Sequence, residues 1–341
     1  MNSRQLGSSA VGSPVVGSGA MSCLRHKFAL FIFTFLIFVN ARAQSDSTYL
    51  VRSLHVAYEN DLLAATVDTT TDYYYTGGTL IDFNFPCLSK NPLAKILVRL
   101  PHGADQSFGL SYTHSAFTPT SILSDSILPG DRPFAGTLTM GFNRVSCNPE
   151  KRVKLTSRLD FGLIGSYSFA YETQKFIHAH TRNPEPHGWQ YQVANDLYLN
   201  YGVKFEKGLI STKAVELILY ETANAGTIYT NAGAGLKIRA GRMQGYFEAP
   251  GFSKKILFWG YANIDARLIL RDATLQGGLF NRSSAYTLSR SSLNTVVSTF
   301  TFGFVAGYHK LRLEYFNSLV TPEFSSGLPH MWGHLGIHYY F

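Results

Sequence analysis

The sequence predicts an all-β protein: a transmembrane antiparallel β-barrel of about 12 strands, with short helical segments in its loops. Three observations carry this reading. Apolar and polar residues alternate with period two over segments of ten or more residues, the mark of strands with two unlike faces. Charged residues make up 15% of the 341 and aromatic residues 14%, a charge-poor balance beside the roughly 25% charged of soluble domains. Past Ala43 no apolar run reaches the about 20 residues of a spanning helix, so a membrane crossing falls to strands.

The chain opens on an expected targeting segment. Residues 1–20, rich in Gly, Ser and Val, read as an upstream extension. From Met21 there follow MSCLRHK, the apolar run FALFIFTFLIFVN, and Ala41-Arg42-Ala43. These are the basic, apolar and small-residue parts of a secretory signal peptide. Cleavage is expected after Ala43, leaving 44–341 as the barrel domain. Removing 1–43 takes away Arg4, Arg25, Lys27 and Arg42 and no acid, so the formal charge falls from +8 to +4 (26 basic against 22 acidic residues). An exported chain of this charge suits a phosphorylated, anionic surface and not nucleic acid. Cys23, Cys87 and Cys147 match no metal spacing, and Cys87–Cys147 is the one disulfide open to the mature chain.

Strands are expected, in order, at 48–60, 73–86, 105–117, 134–147, 151–166, 189–206, 213–223, 226–241, 255–272, 295–307, 309–319 and 331–341. In the second, Thr79, Ile81, Phe83 and Phe85 face one way and Leu80, Asp82 and Asn84 the other. In the fifth, Leu155, Leu159, Phe161 and Leu163 alternate with Lys154, Thr156, Arg158 and Asp160. Strands this long, apolar on one face, fit lipid outside and a polar lumen inside. A soluble sandwich uses shorter strands and turns its apolar face inward. Closure also satisfies the backbone, because lipid tolerates no open sheet edge. The last strand ends on Leu335, Ile337, Tyr339 and Phe341, and a terminal aromatic is an export mark of outer-membrane barrels. An even strand count puts both termini in the periplasm and the connections after odd strands outside: 61–72, 118–133, 167–188, 224–225, 273–294 and 320–330. The inner connection 87–104 is long, and its PLAKILVRL reads as a short amphipathic helix.

Unusual polar residues gather on the outer connections. Asn60-Asp61 close the first strand and Thr76 opens the second. Gln174 and His178 stand at i and i+4, one face of a short helix. A histidine can deprotonate water near neutral pH. Asn60 and Asp61 offer oxygens suited to Ca²⁺, and such a cation can polarise an ester carbonyl. Thr76 can add a hydrogen bond. These parts make a water-activating ester hydrolase without a covalent nucleophile, and no G-x-S-x-G elbow is present. Each residue also has a structural reading. Asn60-Asp61 suit a turn, His178, His180 and His187 suit a solvated loop, Asp131-Arg132 suit a local ion pair, and Gly77-Gly78 suit a crowded backbone.

The ordered set ENDLL (59–63), DYYYTGG (72–78), FTPTSI…DRPFAG (117–136), ETQKFIHAH (172–180), GWQYQVAND (188–196), NAGTIYTNAGAGLKIRAG (224–241) and EYFNSLVTPEF…WGHLGIHYYF (314–341) resembles the outer-membrane lipid A 3′-O-deacylases, the LpxR-like proteins. The resemblance covers nearly the whole mature chain. It implies a twelve-stranded barrel and Ca²⁺-dependent hydrolysis of the ester-linked 3′-acyloxyacyl group of lipid A in lipopolysaccharide. The implied mechanism is similar to that of secreted phospholipase A2. It assigns His178 as base, Asp61 as the calcium carboxylate with Asn60 beside it, and Thr76 and Gln174 as polar groups at the substrate. A monomer with its active site on the extracellular side of the outer membrane is expected. The chain departs from the family pattern at Tyr73, where Arg is usual, at Gly77, where Asn is usual, and at Asp196, where Glu is usual. The Gly-Pro common before the Gln-His segment is absent near Gly165-Ser166. Two other readings stand beside this one: an outer-membrane phospholipase and a non-enzymatic pore.

Overall fold

The computed structural model describes residues 52–64, 73–101, 103–181 and 183–341, so the expected signal peptide and cleavage site lie outside it. Twelve strands form a closed antiparallel barrel, each paired with its sequence neighbours. They are β1 (Ser53–Asn60), β2 (Tyr74–Asn84), β3 (Asp105–Thr118), β4 (Ala135–Asn148), β5 (Val153–Ile164), β6 (Asp196–Ser211), β7 (Val215–Gly226), β8 (Tyr229–Arg242), β9 (Ser253–Asp272), β10 (Val296–His309), β11 (Leu311–Val320) and β12 (His330–Tyr340). β1 and β12 close the ring, in register from Ser53 opposite Tyr340 to Asn60 opposite Gly333. One helix, α1 (Ala170–Thr181), follows β5.

Alternation decides which face meets what. Val56, Leu110, Met140, Phe161, Ile264 and Leu335 are exposed on the outside. Their alternates, among them Glu59, Lys154, Arg158, Glu206 and Asp265, line a lumen cavity of about 990 Å³. Apolar out and charged in is stable only with lipid around the wall. At the end holding the termini, Phe341 packs edge-on to Phe85 at 5.6 Å and lies beside Tyr339 at 6.0 Å, an aromatic girdle suited to a membrane interface.

The expected strand from 189 begins only at Asp196. Gly188, at φ 90°, turns the chain, and Trp189–Tyr191 form a single 3-10 turn. Trp189 and Val193 are buried beneath the rim, and Val193 N–H donates to Phe134 O at 2.9 Å. The apolar alternation there belongs to a packed loop. The 86–104 connection differs too. In place of an amphipathic helix it makes two 3-10 turns, Pro86–Lys90 and Pro92–Lys95. They lie against the outer wall, covering Phe108 and Phe142 with Ala94 and Leu97. Arg144 donates to the Ala94 and Leu97 carbonyls at 3.2 and 3.4 Å. Cys87 and Cys147 are both free thiols. Cys87 sits on that connection, outside the wall, while Cys147 lines the lumen, so the wall separates them.

At the end away from the termini, loops fold into the barrel mouth. Arg132, 2% exposed, pairs with Glu323 and not with its neighbour Asp131. Its guanidinium also donates to Thr274 Oγ1 at 2.7 Å and stacks 4.5 Å above the Phe117 ring. Asp131 instead accepts from Thr120 N–H and Oγ1–H, at 2.9 and 2.6 Å. Burial raises the Glu323 carboxyl, but Arg132, then His330 and Arg267, more than offset this and hold it below the ordinary glutamate value. A depressed folded-state pKa contributes stability above the unfolded value and loses it as pH falls through the folded one. Heat-modifiable gel migration should therefore show a barrel mouth that weakens as pH drops below about 4.5, and Glu323→Gln should remove that part of the slope. Arg132→Ala should cost about 3 kcal/mol by stranding the largely buried Glu323 carboxylate.

Candidate active site

The first strand ends at the far rim. Ser53, His55 and Glu59 line the lumen, so alternation turns Tyr58 and Asn60 to the outer wall. The Asn60 amide confirms this, donating to Tyr58 OH at 3.3 Å and to Thr76 O at 2.6 Å. Its Oδ1 accepts from Leu62 N–H at 2.8 Å, the N-cap bond that starts a 3-10 turn over Asp61–Leu63. The turn leans onto β12, where a Cβ on Gly333 would stand 2.3 Å from Leu63 C and O. Tyr315 OH donates to Leu63 O at 2.7 Å. Asp61 is thereby held 7% exposed, its Oδ1 accepting from Leu62 N–H at 2.9 Å.

Thr76 sits at a bulge beside Asn60, its carbonyl accepting from the Asn60 amide. Tyr75 opposes Phe117 and Gly77 opposes Ala116, leaving Thr76 as the extra residue between them. Bulges re-aim side chains in this way. Tyr75 stays in the lumen and donates to Glu59 Oε2 at 2.6 Å. A Cβ on Gly78 would stand 2.0 Å from its hydroxyl, so Gly78 makes room for that ring. Tyr73, just before the strand, has its phenol pushed up by burial and then by the Asp61 charge.

After β5 the chain reverses through Gly165 (φ 101°) and Phe169 (φ 60°) into α1. Ala170, Gln174 and His178 are its buried residues, at i, i+4 and i+8 on one stripe. The stripe lies on the outer wall. Gly136 of β4 shares the outward face of Met140 and Phe142, and a Cβ there would meet Ser168 Oγ at 2.1 Å and Ala170 Cβ at 2.4 Å. Gln174 Oε1 accepts from Trp189 Nε1–H at 2.7 Å, and Gln174 Nε2 is buried without a hydrogen-bond partner among the described residues. His178 Nδ1 donates to Pro184 O at 2.6 Å, which leaves the lone pair on Nε2. Tyr167, Phe169 and Phe176 stand exposed around the helix, an apolar skirt at the rim.

The model for the family Outer membrane protein LpxR matches residues 30–341. The chain belongs to the LpxR family. LpxR from Salmonella typhimurium superposes with a TM-score of 0.68 at 18% identity, over 85% of this chain and 100% of that one, which establishes a shared fold. The KdgM porin (TM-score 0.39, 7% identity, 85% of this chain and 99% of that one) and the β domain of the Bordetella autotransporter BrkA (0.41, 10%, 86% and 100%) are distant barrels. No curated protein matches the sequence.

In this LpxR-family chain Asn60, Asp61 and Thr76 meet at the β1–β2 mouth, while Gln174 and His178 sit two strands away on the same outer face. His180, in the last turn of α1, and His187, in the loop after it, are exposed, bound to Phe176 O and Asp125. Sequence reasoning gave no role to Trp189, Pro184 and Gly136. Trp189 and Gly136 do fall inside the GWQYQVAND and DRPFAG motifs. Gly136→Val should lift α1 from the wall and lower kcat roughly 100-fold, since misplacement by an ångström has that effect, with heat-modifiability of the barrel retained. Asp61 supplies a buried carboxylate, with the Asn60 amide oxygen beside it. Among the described residues this oxygen pair fits a hard cation.

Proposed function

We propose that this chain is a calcium-dependent lipid A 3′-O-deacylase, hydrolysing the ester-linked 3′-acyloxyacyl chain of lipopolysaccharide from the outer wall of the barrel, on the extracellular side. Family membership supports an outer-membrane lipid A deacylase. The observation that carries the finer reading is placement: Asn60 and the α1 stripe with Gln174 and His178 lie on the outer side of the barrel wall and not in the lumen. A membrane-resident ester reaches such a site sideways, without leaving the leaflet.

In this reading His178 Nε2 takes a proton from water as the water oxygen adds to the ester carbonyl carbon. The Pro184 carbonyl holds the ring in the tautomer that this needs. The same proton then passes to the departing alkoxide as the carbon–oxygen bond breaks, giving a free acid and a hydroxyl. Asp61 and Asn60 would hold Ca²⁺, which when bound polarises the carbonyl and offsets the oxyanion charge. The Gln174 amide, fixed by Trp189, has a buried N–H to give the substrate, and Thr76 adds a hydroxyl at the same face. Trp189→Phe should release Gln174 and lower kcat about 10-fold, with the barrel intact.

Fatty-acid release from lipid A and from glycerophospholipid vesicles, each with calcium, tests the substrate class. Release from lipid A alone is expected. Release from glycerophospholipids alone would replace the deacylase reading with a phospholipase.

A further inference from the structure

A second cluster lies inside the lumen, on the seam where the first and last strands close the barrel. His55 of β1 donates through Nδ1 to Asp82 Oδ2 at 3.1 Å. His334 of β12 donates through Nδ1 to Glu59 Oε1 at 2.9 Å. In both rings a carboxylate fixes the proton on Nδ1 and leaves the lone pair on Nε2, the arrangement that stands behind metal-bound histidines. Both Nε2 atoms are sealed from solvent and have no hydrogen-bond partner among the described residues. They face one hole: a Cβ on Gly336 would stand 2.8 Å from His334 Nε2 and 3.0 Å from His55 Nε2. His338 stacks flat on His55, with centroids 3.9 Å apart and planes 1° apart, and bonds Glu314 at 3.0 Å. The donor atoms of His55, Glu314 and His338 lie within 4.8 Å of one another.

Buried acceptors rarely go unpaired. Two that share a void, each backed by a carboxylate, are explained by an electrophile in the void. We propose that the lumen binds a divalent transition ion of the Zn²⁺ type through His55 Nε2 and His334 Nε2, with the Glu314 carboxylate, held by His338, supplying the third donor. Two nitrogens with one carboxylate suit Zn²⁺, and water completes the tetrahedron. The ligands come from β1, β11 and β12, so the ion staples the closure seam. This site is separate from the wall-facing oxygens, which are too hard and too few in charge for such an ion.

The test titrates the full refolded barrel, stripped of metal, with Zn²⁺ against a chromophoric chelator, and with Co²⁺ read by its visible absorption. One tight equivalent per chain is expected, with a four-coordinate Co²⁺ spectrum. His334→Gln should weaken it at least ~10-fold. Gly336→Ala keeps every donor but fills the hole, and should do the same. Asp61→Asn should bind as the parent does. Zn²⁺ should also raise the temperature of heat-modifiable unfolding in the parent and not in His334→Gln. Absence of a tight equivalent in the parent overturns the proposal. So does an equivalent that survives in both His334→Gln and Gly336→Ala, or one lost in Asp61→Asn.

Discussion

His178→Ala should abolish most lipid A hydrolysis, lowering kcat about 1,000-fold, while the barrel still folds. The size follows from the role. A positioned base is worth about 100 to 10,000-fold, and alanine removes the only imidazole on the buried stripe of α1. Folding should be spared because the helix lies on the finished wall. Its removal of a bond to Pro184 O loosens one loop and no strand pairing. In the proposed reading the apolar skirt and the lipid-facing wall hold the substrate, so KM should change little. His178→Gln keeps a donor toward Pro184 without the base, and its rate should fall as far as that of the alanine variant. A glutamine variant at parental rate would reduce His178 to a positioning residue.

Asp61→Asn should be the next most damaging change, lowering kcat about 100-fold at saturating calcium. The apparent calcium affinity should also fall. Asparagine keeps the shape, and the Leu62 N–H bond to Oδ1 survives, so the turn against β12 is preserved. What goes is the formal charge of the buried Asp61 carboxylate. Calcium affinity tracks ligand charge count, so raising calcium should restore part of the activity. In the parent, a chelator should reduce activity to the level of the metal-free enzyme and calcium should restore it. An Asp61→Asn enzyme with parental rate and parental calcium dependence would place the cation elsewhere.

Strand pattern was the most legible part of this molecule. Alternation is a local property, and in a barrel every strand has one lipid face, so each segment carries its own signal. It failed at 189–195 because Trp189 and Val193 alternate for a different reason, the packing of a loop under the rim. It failed at 86–104 because the apolar residues there cover Phe108 and Phe142 on the outer wall, a contact with strands still to come in sequence. Site residues were legible as types and motifs. Their shared face was not, since it depends on the bulge at Thr76 and on Gly136 admitting α1 to the wall, and neither has a local signature. The partner of Arg132 was misread for a similar reason: Glu323 lies 191 residues away, while Asp131 is adjacent.

The most direct measurement is mass spectrometry of lipid A after incubation with the refolded protein, with calcium and with chelator, beside His178→Ala. The account predicts loss of one acyloxyacyl unit, seen only with calcium and absent in the variant. Unchanged mass across several lipid A species, with calcium present and the barrel folded, would contradict it.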